Sequence, residues 1–189
     1  MINYFIIQKS IDFYDKVGFT RIETPWYVSK NVAAITKPPN LRDDEFILNH
    51  NDKRLVASGE QGFLYLYLKG FLPKGKFQTV TPCFRFESHD ETHTKTFIKN
   101  ELISTSDISK TTLESIISNC YNYFKSIGFD NKLNVVKTDI GFDINYLDTE
   151  LGSYGIRETS FLKYIYATGV SEPRASYLLN KYELPYKEN

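Results

Sequence analysis

Cysteine is scarce in this chain. Cys83 and Cys120 are the only two. Two isolated cysteines make neither a zinc site nor a disulfide framework, so unpaired thiols in a reducing compartment are expected. Long apolar runs are missing, which excludes a membrane-spanning helix. The N-terminus lacks the basic-then-apolar build of a signal peptide, and the expected location is the cytoplasm. An excess of one charge is missing too, because 23 basic residues balance 23 acidic ones. A dedicated nucleic-acid binder usually carries a basic excess, so any RNA contact must be local or come through a partner. Repeats and low-complexity stretches are absent. What the chain has in quantity is aromatic residues, 14 Tyr and 14 Phe among 189 residues. That length can bury a full core, and the expected organisation is one domain over residues 1–189.

Periodicity supplies the elements. Tyr4 to Val17 carries Phe5, Ile6, Ile11, Phe13 and Tyr14 in an amphipathic pattern that Gly18 stops. Phe19 to Val28 reads as extended, but Pro25 within it cannot donate to a ladder, which predicts an edge or interface strand. Residues 31–44 read as loop, and Glu45–Leu48 and Arg54–Ala57 as short strands around a polar turn. A helix is expected over Glu60–Phe71, a long strand over Lys76–Glu87, a polar turn over Ser88–Thr92 and an antiparallel return over Lys95–Ser104. Ser109–Ile127 is the clearest helix, with Leu113, Ile116, Ile117, Cys120 and Phe124 on one side. Lys132–Lys137, two segments within Gly141–Arg157, and Phe161–Thr168 complete the strands, and Glu172–Tyr182 is a final helix. The pattern is an α+β fold, an antiparallel sheet flanked by helices.

Chemistry concentrates in Phe84-Arg85-Phe86-Glu87, a polar loop, His93-Thr94-Lys95-Thr96-Phe97 and Glu101. Side chains alternate along a strand, so Arg85 and Glu87 share a face, as do Phe97 and Glu101 on the return strand. A hairpin would gather an arginine, a carboxylate, a histidine and a flat ring over one patch of sheet. Arginine forks onto phosphate, a carboxylate accepts from an exocyclic amine, and a phenyl ring stacks on a purine. A solvated hairpin with ordinary cross-strand pairs fits the same spacing, and spacing alone leaves both open.

The segment resembles motif 2 of class II aminoacyl-tRNA synthetases. The resemblance implies that Arg85 holds the α-phosphate of ATP, Glu87 reads the adenine, His93 meets the γ-phosphate and Phe97 stacks on the base. The loop Asp90-Glu91-Thr92-His93 is nearest to the phenylalanyl branch. Gly18-Phe19-Thr20-Arg21-Ile22-Glu23-Thr24-Pro25 follows a helix and resembles motif 1, which forms a dimer interface, so a homodimer is implied. Gly169-Val170-Ser171-Glu172-Pro173-Arg174 resembles motif 3, which would place Arg174 over the adenine and against the γ-phosphate. Ser171 stands where a second glycine is usual, and Pro173 precedes the arginine, a place in the first helical turn that proline tolerates. Asp143 and Glu150 are spaced like the paired magnesium ligands of aspartyl-like synthetases. Glu150 is the stronger candidate, and Asp143 and Asp148 equally suit turn positions. Ser58-Gly59-Glu60-Gln61 resembles the segment that grips the α-amino group, which would be the task of Glu60. Glu60 also suits the first turn of a helix on dipole grounds alone. Arg157 stands at the offset from Glu150 where aspartyl and asparaginyl synthetases carry the arginine for the substrate side chain. This implies a small acidic or amide amino acid, although Arg157 also has Glu158 beside it as a surface partner.

The resemblance runs from Tyr4 to Leu179 and implies a catalytic core without an anticodon-binding domain. Such a core activates an amino acid with ATP and Mg²⁺ and passes the acyl group to tRNA or another acceptor, with a protein partner as one source of RNA binding. Two other outcomes keep the same fold. One is a non-catalytic paralogue that binds amino acid, ATP or RNA as a regulator. The other is an asparagine synthetase-like amide ligase.

Overall fold

The computed structural model describes residues 1–37, 46–48, 52–86, 91–92 and 94–186. Helix α1 (Tyr4–Lys16) begins where the Asn3 side chain accepts from the N–H groups of Phe5 and Ile6. It ends in a Schellman arrangement: Phe19 N–H returns to Tyr14 O and Gly18 N–H to Asp15 O. Gly18 takes φ +91, the left-handed region that its lack of a Cβ permits.

The expected strand over Phe19–Val28 resolves into two shorter ones in different sheets. β1 (Thr20–Arg21) runs parallel to β5 (Lys76–Phe84), while β2 (Tyr27–Ser29) pairs antiparallel with β4 (Lys53–Leu55). Pro25 lies between them, where no ladder requires its missing N–H. Thr24 packs so closely on Gly62 of α3 (Gly59–Leu68) that a Cβ there would lie 2.6 Å from the threonine Cβ. The segment therefore crosses from one sheet to the other over α3. β3 (Ile47–Leu48) completes the small sheet, in the order β2-β4-β3, and α2 (Lys30–Ile35) follows β2.

The large sheet has the order β1-β5-β6-β10-β9-β8-β7. Its members are β6 (Thr96–Ser104), β7 (Leu133–Lys137), β8 (Phe142–Tyr146), β9 (Thr149–Glu158) and β10 (Lys163–Glu172), all antiparallel to their neighbours apart from the β1–β5 pair. α1, α4 (Lys110–Ile127) and α5 (Arg174–Lys181) cover one face. Tyr14, Ile116, Tyr123, Phe124, Ile144, Tyr154 and Ile165 are buried there. A buried polar chain fixes α1 to the sheet. Asn100 Nδ2 donates to Ser10 Oγ and Gln78 Oε1, and Gln78 Nε2 donates to Ile11 O and Phe19 O. α3 and the small sheet pack on the opposite face, over Phe77, Ile103 and Tyr164. Within that second face the sheet remains partly uncovered beyond the α3 N-terminus, and there the site lies.

β10 runs four residues past its expected end at Thr168 and takes in Gly169 to Glu172. The register shifts between Thr168 and Val170. Gly169 at that shift accepts from Tyr14 Oη at 2.9 Å, and a Cβ on it would meet the Tyr14 ring at 2.7 Å. The final helix consequently starts at Arg174, two residues later than its sequence suggests. Among the described residues no helix is long and apolar enough to cross a membrane.

Candidate active site

The site grows from the β5–β6 hairpin and the N-terminus of α3. The register pairs Cys83 with Phe97, Thr81 with Lys99 and Thr79 with Glu101. The alternation along β6 then sets Phe97, Lys99 and Glu101 on the face that α3 meets. Arg85 leaves the end of β5, its N–H bonded to Lys95 O at 2.9 Å. Its Nε donates to Ala57 O at 3.0 Å, and its guanidinium lies 5.2 Å from the centre of the Phe97 ring. The expected meeting of Arg85 and Phe97 is present. Glu87 and His93, expected at the adenine and the γ-phosphate, lie outside the described residues.

Glu101 is buried and well supplied with donors. Ser58 Oγ donates to it at 2.7 Å, Glu60 N–H donates at 2.8 Å, and Lys99 Nζ stands 3.1 Å away. Burial pushes its carboxyl pKa up, but Lys99 and these hydrogen bonds outweigh burial and hold it below the usual carboxylate range. Lys99 also donates to Thr168 Oγ1 on β10 at 3.3 Å. This pair locks α3 to the sheet and exposes little of itself.

Glu60 and Arg157 are 97 residues apart in sequence and meet directly. Arg157 Nη1 donates to Glu60 Oε1 at 2.5 Å, and Tyr164 Oη donates to the same oxygen at 2.7 Å. Glu60 does sit in the first turn of α3, capped by Ser58, as the dipole reading requires. It is nonetheless committed to Arg157, and Arg157 is not a surface partner of Glu158, which pairs with Lys163. The guanidinium also stacks 4.6 Å from the Tyr166 ring centre. Burial raises the Glu60 pKa, against the pull of Arg157 and the Tyr164 hydroxyl toward the anion.

A third group lies at the edge. Arg174, the first residue of α5, donates from Nε to Thr92 O at 3.2 Å and from Nη1 to Glu150 O at 3.1 Å, with Glu150 Oε1 at 3.5 Å. Glu91 accepts from Tyr177 Oη and lies 3.6 Å from Lys181 Nζ, so the described end of the motif 2 loop rests on α5. Asp143 lies on β8 opposite Ser153 of β9, and Glu150 of β9 faces Asn145 of β8. Burial raises the Asp143 pKa, Ser153 opposes, and the Glu150 charge raises it further. No group of three or more His, Cys, Asp or Glu side chains comes together as a metal cage among the described residues.

A cavity of about 310 Å³ joins the first two groups. Glu60, Arg85 and Arg157 line it, together with Lys99, Glu101 and Tyr166. Its basic lining residues are Lys37, Arg85, Lys99 and Arg157, against Glu60 and Glu101, so the described wall is net positive. Phe97, Asp143, Glu150 and Arg174 are not among the lining residues. Lys99, Tyr164, Tyr166 and Thr168 were not anticipated as site residues. A signal for them existed, since Lys99 falls between Phe97 and Glu101 in the period-two pattern, and Tyr164, Tyr166 and Thr168 alternate along an expected strand.

The fold recurs in solved structures. The seryl-tRNA synthetase of Pyrococcus horikoshii, complexed with ATP, superposes with a TM-score of 0.74 at 16% identity, over 92% of this chain and 49% of that chain. This is the fold of a class II aminoacyl-tRNA synthetase catalytic core. The pyrrolysyl-tRNA synthetase of Desulfitobacterium hafniense superposes with a TM-score of 0.70 at 16% identity, over 96% of this chain and 70% of that one. The cytoplasmic serine-tRNA ligase of Naegleria fowleri, in complex with AMP, gives 0.71 and 17%, over 92% and 52%. The chain thus spans about half the length of the seryl enzymes it resembles. No family model and no curated protein sequence matches it.

Proposed function

We propose that this chain, as a single catalytic unit over residues 1–189, activates an amino acid with ATP. The observation that carries the reading is the convergence of Glu60, Arg85 and Arg157 on one net-positive cavity of a class II synthetase fold. The amino-acid carboxylate oxygen attacks the α-phosphorus, a new P–O bond forms, and the bond to the departing pyrophosphate breaks. The products are an aminoacyl adenylate and pyrophosphate. The nucleophile is already an anion, so no general base is required, and catalysis consists of positioning and charge neutralisation. Arg85 holds the α-phosphate and Arg174 the γ-phosphate side, with Phe97 under the base and Glu87 and His93 completing the nucleotide contacts. Glu60 receives the α-ammonium, and Arg157 faces the substrate side chain, which makes a small acidic or amide amino acid the first candidate. Glu150 and Asp143 would hold Mg²⁺, which neutralises phosphate charge when bound. The acceptor is tRNA, reached with the help of a partner, or another nucleophile such as a protein side chain, a carrier or ammonia.

Amino-acid-dependent exchange of labelled pyrophosphate into ATP, run over all the amino acids, tests the reading. Exchange with one amino acid or a small set is the expected result. ATP binding without exchange would instead favour a non-catalytic regulator. Glu150→Ala is expected to lose at least about a hundredfold in exchange rate while its far-UV dichroism is unchanged, since metal-assisted charge stabilisation contributes several kcal/mol. Full exchange in that variant would move the metal elsewhere.

A homodimer through the outer face of α1 and the strand after Pro25 belongs to the same proposal. Tyr4, Phe5, Trp26 and Tyr27 are exposed there, Trp26 by 58%. These exposed apolar side chains on α1 and at β2 are what a dimer contact would cover. Trp26 is the only tryptophan. Its emission is expected to shift to the blue as the concentration rises into the micromolar range, in step with dimer mass by sedimentation. A monomer at all concentrations, with constant emission, removes the dimer.

A further inference from the structure

One carboxylate has no place among the groups that would meet substrate. Glu172 closes β10 and is fully buried, where an ionised carboxylate is costly unless its oxygens are hydrogen-bonded. Both oxygens are. Asn3 N–H donates to Oε2 at 2.9 Å, Ser176 Oγ donates to Oε2 at 2.8 Å, and Ser176 N–H donates to Oε1 at 2.9 Å. Burial nonetheless raises its pKa above the usual range, against these donors. The donors come from two helices. Asn3 is the N-cap of α1. Ser176 is the third residue of α5, whose own N-cap, Pro173, offers no side-chain hydrogen bond. Glu172 supplies from one residue upstream the acceptor that proline lacks, and its charge suits the positive end of the helix. The helix so fixed opens with Arg174.

We infer that Glu172 is a positioning residue for Arg174: its carboxylate ties the first turn of α5 to the N-terminus of α1 and so sets the direction of the Arg174 guanidinium. The functional consequence rests on the nucleotide reading above, whereas the geometry does not. The α1 N-terminus, with Tyr4 and Phe5 exposed, is joined to a phosphate-handling group through a single buried side chain. Disturbing the α1 N-terminus therefore alters ATP affinity from a distance. A merely structural carboxylate would loosen every ligand contact alike.

Three variants separate these cases. Glu172→Gln must turn its amide nitrogen toward at least one of the three donors. Asn3→Ala removes the α1 cap and keeps the N–H, whereas Asn3→Pro removes both, at a φ of −92° close to the proline range. In protein labelled with ¹⁵N-arginine and free of ligand, Arg174→Lys deletes and thereby assigns the Arg174 Nε–H signal. Its hydrogen exchange is expected to be about tenfold faster in Glu172→Gln and Asn3→Pro than in the native protein and Asn3→Ala, the effect of losing one charge-assisted bond. KM for ATP should rise about as much, with KM for the amino acid within about twofold. Unchanged Nε–H exchange in both variants overturns the inference, as does a parallel rise in both KM values. Should Glu172→Gln fail to fold, the proline and alanine pair at Asn3 decides. If the Nε–H signal responds but the native protein neither binds ATP nor exchanges pyrophosphate, the positioning role stands and the proposed function falls.

Discussion

Arg85→Ala is expected to cut the stabilisation that ATP and Mg²⁺ confer on the native protein by at least about half. A ligand at a hundred times its Kd stabilises the native state by about 2.7 kcal/mol. For a chain of this size that corresponds to a rise in Tm of roughly 5–10 °C. An arginine on a phosphate makes charge-assisted hydrogen bonds worth about 1.5–3 kcal/mol, so its loss weakens binding about 10- to 150-fold. At the same ATP concentration the variant should keep only about 0.3–1.4 kcal/mol of that stabilisation, a shift of roughly 1–6 °C according to which end of the range applies. The shift must be read within each protein, because Arg85 also serves the ligand-free fold. Its Nε bond to Ala57 O and its contact with the Phe97 ring disappear in the variant, which lowers the ligand-free Tm on its own. Differential scanning fluorimetry over an ATP series gives both quantities. An ATP shift as large as the native one would remove Arg85 from the nucleotide site.

Arg85 and Phe97 could be placed together from sequence because one hairpin contains them. Period two assigns faces, and a polar turn between two strands fixes their pairing, so the thirteen residues from Arg85 to Phe97 carry the geometry. The antiparallel sheet and its flanking helices were legible for the same reason, as local pattern. Contacts made between distant segments were not. Glu60 and Arg157 each had a sufficient local explanation, a helix N-terminus for one and the neighbouring Glu158 for the other, and nothing local says that they bond to each other. Tyr164 joins them only because β10 lies between β6 and β9 in the sheet, an order that periodicity does not encode. The start of α5 falls later than the local pattern suggests for a related reason. Residues 169–172 looked like the approach to a helix, but the register shift at Gly169 keeps them in β10. Pro25 pointed correctly to an exceptional strand, although the strand breaks around it into pieces that serve two sheets.

Arg157→Met is expected to cost the fold about 3 kcal/mol at neutral pH and to make its stability strongly pH-dependent. Breaking a buried pair by removing one partner costs about 3–5 kcal/mol, because the remaining charge stays buried. The low end applies because the Arg157 side chain keeps 29% exposure. The sign with pH follows from Glu60. Its pKa in the native protein is already raised by burial while Arg157 stands against it. Removing the guanidinium takes away the main opposition, so the folded-state pKa climbs further above the unfolded value. Between those two pKa values the native state holds a proton that the unfolded state has lost, and stability falls as pH rises. The variant should thus come nearest native stability at acid pH, where Glu60 is protonated in both states, and lose stability as pH rises above the ordinary carboxylate range, as measured by urea unfolding at each pH. Glu60→Gln in the same background should flatten the profile, since no proton then binds at that position. The pair's functional role is read separately. If Arg157 faces the substrate side chain, the native protein should prefer an acidic or amide amino acid in pyrophosphate exchange, and Arg157→Glu should abolish that preference. A native preference for Phe, or a variant with unchanged preference, would leave Arg157 a structural partner of Glu60 and nothing more. A flat stability profile for Arg157→Met would go further and show that Glu60 finds another cation in the cavity, for which Lys99, also in its wall, is the nearest candidate by chemistry.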